Sequence, residues 1–192
     1  STLVIGAPGN DVGGDNWGNV RVFKKENSKW QQIGSSISGG GSFDAHFGQK
    51  VAINYDGSII AVTWKLDTGG GKVRFYKYEN SEWVSYGNSL TGGQNGAHFG
   101  NSIDLSRDGN IVVIGAEYYN HGNNHEAGRV QVYRKESSGW IQLGQDLVGS
   151  KDDQRGASVA INVDGTIIAV GSSYDDNNGE GSGSVEVFKY TA

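Results

Sequence analysis

The sequence has 192 residues, with 16 Lys and Arg against 21 Asp and Glu, for a formal net charge of −5. It contains no cysteine and no methionine, and glycine is 32 of the 192 residues. These counts exclude disulfides, cysteine-ligated metal centres and thiol catalysis. They also give a poor charge balance for nucleic acid, and no apolar run approaches the roughly 20 residues that span a bilayer. Valine and isoleucine outnumber leucine 31 to 6, which favours strands. The chain opens Ser1-Thr2-Leu3 with neither an initiator nor a signal peptide, so a processed product or a piece of a longer protein is expected. An acidic, glycine-rich, cysteine-free composition suits an extracellular or cell-surface protein.

Taken in chain order, the same elements recur. Thr2-Leu3-Val4-Ile5 is an apolar run, matched by Ile59 to Val62, Ile111 to Ile114 and Ile167 to Val170. A glycine-rich loop and a Gly-x-Val start follow each run, at Gly18-Asn19-Val20, Gly71-Lys72-Val73, Gly128-Arg129-Val130 and Gly183-Ser184-Val185. The segments they open alternate in polarity as half-buried strands do. Trp30, Trp83 and Trp140 then open a further segment, each with glycine four residues on, at Gly34, Gly87 and Gly144. They are expected to begin outer strands that pack on their own sheets. Val51-Ala52-Ile53-Asn54, Ile103-Asp104-Leu105-Ser106 and Val159-Ala160-Ile161-Asn162 each precede an Asp-Gly pair, at Asp56-Gly57, Asp108-Gly109 and Asp164-Gly165. Such pairs suit a tight hairpin, because both residues tolerate positive φ.

The valine marks lie 53, 57 and 55 residues apart. Four short strands in a period near 50 predict an all-β fold of β-propeller blades, each a four-stranded antiparallel sheet. The whole of 1–192 is expected to form a single propeller segment, with repeats at about 1–40 (partial), 41–92, 93–149 and 150–192 (partial). This gives fourteen strands, two short of four complete blades. The first blade lacks its first strand and the last lacks its fourth. Open edges recruit partners, so a larger parent chain, a homo-oligomer or a filament joined through the terminal blade edges is expected, with the junction at Leu3 the stronger.

Phe47-Gly48, Phe99-Gly100 and Gly6-Ala7-Pro8 resemble the landmarks of FG-GAP repeats, which build integrin α-chain-like propellers. The resemblance covers nearly the whole chain. Arg155-Gly156 departs from Phe-Gly, and Thr63-Trp64-Lys65, Gly115-Ala116-Glu117 and Gly171-Ser172-Ser173 depart from Gly-Ala-Pro. The resemblance implies extracellular recognition or scaffolding. The family's calcium loop does not carry over, since one carboxylate in each Asp-Gly turn cannot supply six to eight oxygens. No metal and no cofactor are expected, although the second loops are rich in Asp and Asn, which shape turns.

Candidate ligand-binding residues lie where one repeat departs from the others. Trp64 stands where the other copies have Ala7, Ala116 and Ser172. At a loop mouth it could stack on a sugar ring, or it could fill space left by the shortest loop. The stretch 117–126 carries Tyr118, Tyr119, His121 and His125, an adaptable surface of the kind that reads glycan or protein, or an ordinary polar loop. Trp17 and Tyr174 complete the set. His46 and His98 recur in Ala-His-Phe-Gly copies and read as structural. Asp104, on an inner strand, is expected to face water. No Gly-x-Ser-x-Gly elbow, Walker loop or dinucleotide fingerprint is present, so no catalytic residue is named. The reading is a non-enzymatic extracellular recognition or assembly module with a protein or glycan partner. The alternative is a carbohydrate-binding lectin with sites at the loop mouths, and a propeller-framed enzyme comes third.

Overall fold

The computed structural model describes residues 1–12, 14–40, 46–64 and 70–190; the repeat boundary at 41 and Lys65 lie outside them. The described residues contain no helix, and none is therefore long and apolar enough to cross a membrane. Among the described residues, sixteen strands form four antiparallel sheets. The first holds β1 (Thr2–Ala7), β2 (Asn19–Glu26), β3 (Lys29–Gln32) and β4 (Ile37–Ser38). The second holds β5 (Val51–Ile53), β6 (Ile59–Trp64), β7 (Lys72–Glu79), β8 (Glu82–Ser85) and β9 (Leu90–Thr91). The third holds β10 (Ser102–Leu105), β11 (Ile111–Ala116), β12 (Arg129–Glu136) and β13 (Gly139–Val148). The fourth holds β14 (Arg155–Ile161), β15 (Ile167–Ser172) and β16 (Ser184–Lys189).

The strand count exceeds fourteen because two outer strands are broken. β3 and β4 both pair with β2, and β8 and β9 both pair with β7. Gly34 and Gly87, at φ 67° and 84°, stand in the two gaps. In the third sheet the outer strand stays whole, and the irregularity becomes a register shift between Val130 and Val132.

The Asp-Gly pairs turn the hairpins as expected. The Asp108 carboxylate accepts the Ser106 hydroxyl at 2.7 Å and the Asn110 N–H at 3.0 Å. The Asp164 carboxylate accepts the Thr166 hydroxyl and N–H. Burial pushes the Asp108 carboxyl up, but the hydrogen bonds outweigh it and hold the group below its ordinary 3.8. Hydrogen bonds from Ser58 and Thr166 likewise lower Asp56 and Asp164. A carboxyl lowered by folding contributes stability above its unfolded value and loses it as pH falls through the folded one. Stability is therefore expected to hold down to about pH 4 and to drop below it. Acid titration followed by circular dichroism checks this, and Asp108→Asn should shrink the acid step.

The sheets pack face to face, and the two glycines of the repeat landmarks meet across those contacts. A side chain at Gly6 would strike the backbone of Gly48, and one at Gly115 the backbone of Gly156. Phe47 is buried between the first and second sheets, and Phe99 between the second and third. The Phe47 N–H donates to Trp17 O, and Arg155, in the Phe position of the last repeat, donates its N–H in the same way to Ala127 O. Arg155 thus keeps the backbone role while its guanidinium pairs with Glu186.

Two of the tryptophans correct one expectation, because Trp83 and Trp140 each reach the preceding sheet. Trp83 Nε1 donates to Ile33 O at 3.0 Å, and Trp140 Nε1 donates to Tyr86 O at 3.1 Å. A side chain at Gly34 or Gly87 would collide with these rings, which explains the glycine four residues after Trp30 and Trp83; Gly144, after Trp140, has open space around it and is set by its φ of 68°. Trp30 has no such seat and is 48% exposed. Asp104 is also corrected. Its carboxylate accepts the Ile161 N–H at 2.9 Å and ties β10 to the next inner strand instead of facing water.

Candidate functional site

The loops after β11 and before β10 bring a polar group together. Positive φ at His98 (56°) turns the chain so that its ring meets Tyr118 edge-on, with centroids 4.8 Å apart. His98 Nδ1 lies 3.7 Å from a Glu117 oxygen, and the Glu117 side chain is only 14% exposed. Gln94 anchors the opposite wall by donating to Asn120 O and accepting the Asn120 N–H. Asn120 Oδ1 accepts the Glu126 N–H at 2.8 Å. His98, Tyr118, Asn120, His125 and Glu126 together line an open hollow. The charge of Glu117, then burial, then Glu126 and Tyr174 push the Tyr118 phenol up, so it stays protonated and able to donate.

A second cavity, of about 180 Å³, adjoins the first at Gly96 and His98. Gln49, Thr63, Trp64 and Asn101 help to line it. Trp64 is corrected as a stacking platform. It is 5% exposed, its ring lies under the Arg74 guanidinium at 4.1 Å, and Phe47 meets it edge-on at 5.8 Å. What remains open is its Nε1, which is buried and makes no hydrogen bond.

The structure therefore brings Tyr118 and His125 to one hollow and sets Trp64 in the cavity that adjoins it, while Tyr174 is 56% exposed and lies outside the lining of both. Tyr119 is turned away, its ring capped by the Arg129 guanidinium at 4.0 Å. His121 is exposed and exchanges backbone hydrogen bonds with Asn124 in a tight turn, so it does not share a face with His125. Trp17 lies in the first sheet's loop against Gly14, away from the others. Among the described residues no three His, Asp or Glu groups converge as metal ligands do. Asp175 in the fourth sheet is lowered by the Asn177 N–H and the Ser184 hydroxyl, and so shapes its turn.

His98 and Glu117 were missed by sequence reasoning. His46 and His98 stand in equivalent positions, which pointed to a structural role. The distinguishing signal lies nineteen residues on, where His98 has Glu117 and His46 has Lys65.

Residues 147–188 match the family model of the FG-GAP repeat. No curated protein sequence matches the chain. Among solved structures, the chain is similar to the periplasmic gluconolactonase of Pseudomonas aeruginosa, with a TM-score of 0.57 and 14% identity over 98% of this chain and 49% of that one. A proposed 6-phosphogluconolactonase of Bacteroides fragilis gives a TM-score of 0.48 and 14% identity over 74% and 35% of the two chains. The intramolecular trans-sialidase of Ruminococcus gnavus gives 0.45 and 11% over 98% and 40%. The last two likenesses are too loose to carry an argument. The chain spans half or less of the length of each of these proteins.

The likeness at 0.57 corrects the expectation of a non-enzymatic recognition or assembly module. The propeller matched at 0.57 is an enzyme at 14% identity, and its likeness bears on fold alone. It removes the inference from missing motifs. A propeller site gathers side chains from several loops, so its chemistry leaves no contiguous signature in sequence.

Proposed function

From a propeller arc that carries an FG-GAP repeat, we propose that the hollow at His98 is a catalytic site for hydrolysis of a carbohydrate-derived lactone, at work outside the cytoplasm. The observation that carries this reading is the His98–Glu117 pair, placed in a polar hollow with a protonated Tyr118. The carboxylate stands 3.7 Å from Nδ1, so a small ring movement on substrate binding would close that hydrogen bond and leave the other nitrogen to take a proton from water. Tyr118 supplies a donor for the oxygen that gains charge as the lactone carbonyl is attacked. Asn120 and Glu126 suit the hydroxyls of a sugar acid, and the unpartnered Trp64 N–H suits a further acceptor in the adjoining cavity. The substrate class and the compartment of this proposal are taken from the periplasmic gluconolactonase whose fold the chain shares.

The test is the rate of glucono-lactone opening above the spontaneous background. His98→Ala is expected to reduce the catalysed rate about 100-fold or more, and Glu117→Gln to lower kcat and alter the pH profile, with both melting near the parent. Binding on a glycan array without turnover would overturn the hydrolase and establish a lectin.

A further inference from the structure

The hollow at His98 and the cavity beside it are two compartments with His98 between them. His98 and Gly96 line both. The hollow has about 330 Å³ and the cavity about 180 Å³. The hollow alone reaches the lower end of the range for small-molecule sites, about 300–1,000 Å³. It can seat a lactone ring by itself, so the cavity has room for something more than the reacting ring.

The cavity belongs to the junction of the second and third sheets. The same turn precedes the inner strand of each, with His46 at φ 47° and Gly48 at 88° in one, and His98 at 56° and Gly100 at 93° in the other. The Gln49 N–H donates to His46 O at 3.1 Å, and the Asn101 N–H donates to His98 O at 2.9 Å. The repeat therefore sets one carboxamide on each wall, at equivalent positions. Ala157 stands there in the last repeat, so the third and fourth sheets do not form the same pair. The two walls are tied together by the Phe99 N–H, which donates to Gly70 O at 2.7 Å. Thr63 adds a hydroxyl to the lining. Its oxygen accepts the Lys50 N–H at 2.9 Å, which leaves its O–H to donate elsewhere. Backbone bonds thus hold the walls in place before a ligand arrives, which lowers the cost of binding.

The lining chemistry decides what the cavity holds. None of the described lining residues is Lys, Arg, Asp or Glu, and only Trp64 and Phe99 bring apolar side chains. A phosphate calls for Arg or Lys, and an acyl chain calls for a predominantly apolar wall. Two carboxamides and a hydroxyl, each able to donate and to accept, match the neighbouring hydroxyls of a sugar. We propose that the cavity is a second substrate subsite that holds a glycosyl unit attached to the lactone. The preferred substrate is then the lactone of a disaccharide or longer aldonic acid. This inference rests on the hydrolase reading of the hollow. The lactone carbonyl lies at His98 and Tyr118, and the rest of the substrate passes His98 into the cavity. Gln49 and Asn101 set specificity by touching the unit that does not react, and such remote contacts raise kcat/KM.

The test compares glucono-lactone with the lactones of 4-O- and 6-O-glucosyl-gluconic acid. At least one disaccharide lactone is expected to show kcat/KM about tenfold or more above that of glucono-lactone, the effect of one or two added hydrogen bonds. Gln49→Ala and Asn101→Ala should each lower that ratio about tenfold. Gln49 is exposed and Asn101 half-buried, so both variants should melt near the parent. His98→Ala should lower the rates of both substrates alike. Calorimetry with the free 4-O- and 6-O-linked glucosyl-glucose disaccharides reads the subsite without turnover. Opening of glucono-lactone with no preference for either disaccharide lactone, or a preference that survives both substitutions, would overturn the subsite and leave the hydrolase standing. If no lactone is opened, the hydrolase fails and calorimetry decides the subsite separately. Disaccharide binding that is lost in Asn101→Ala would uphold a sugar site in the cavity, and absence of binding would overturn it.

Discussion

Trp140→Ala is expected to destabilise the fold by about 3–5 kcal/mol, the range for removing a buried tryptophan. Trp140 is 5% exposed and belongs to the cluster between the second and third sheets. Its ring lies 4.0 Å from that of Phe75, at 30°, and meets Tyr86 edge-on at 6.2 Å. Its Nε1–H satisfies the Tyr86 carbonyl at the gap in the outer strand. The truncation therefore leaves a cavity, an unpaired carbonyl and an uncovered Gly87 turn at once. Trp30→Ala is the control, since Trp30 is 48% exposed; its cost should stay within about 1 kcal/mol. Urea denaturation of both variants decides the matter. Equal, small losses would show that the tryptophans do not lock neighbouring sheets together.

That interlock marks the limit of what the sequence disclosed. Strand order and hairpins were legible because each depends on near neighbours: Asp108 turns the chain with Ser106 and Asn110, and alternation marks β2 and β12. The landmark glycines were legible as signs of a family, but not as partners. A regular repeat hides whether Trp83 touches its own sheet or the one before it, since both give the same spacing. Asp104 was misplaced for the same reason: its partner, the Ile161 N–H, is a full repeat away. Trp64 was read as open because it follows a strand at a loop. The Arg74 guanidinium that covers it comes from the neighbouring strand, and no local pattern marks that contact. His98 was discounted because it recurs, although repetition of a residue does not imply repetition of its neighbours. Glu117 lies beside His98, whereas the sequence position nineteen residues after His46 holds a lysine in place of a carboxylate.

Gly115→Ala is expected to cost about 3 kcal/mol, the upper part of the range for overpacking, although alanine adds a single carbon. Gly115 sits in β11, pairs with Val130, and has no positive φ to explain its identity. The reason is space. A Cβ built there falls on the Gly156 carbonyl oxygen of the next sheet and on the Ser102 hydroxyl. That hydroxyl donates to Gly156 O at 2.6 Å, so the added carbon presses on two sheets and on the bond between them. Backbone cannot rotate away as a side chain can, and the third and fourth sheets must separate. Separation would loosen the contacts of Val113 and Val130 with Ile168 and Val170. Gly122→Ala provides the comparison. Gly122 has φ 59° and open space around its Cβ position, so only the left-handed conformation opposes alanine, at about 1–2 kcal/mol. Thr63, at the same register in the second sheet, shows that the interface can admit a side chain where Gly100 receives it. If Gly115→Ala costs less than Gly122→Ala in a thermal melt, the third and fourth sheets can open in the same way, and close approach of the two glycines is not what fixes their identity.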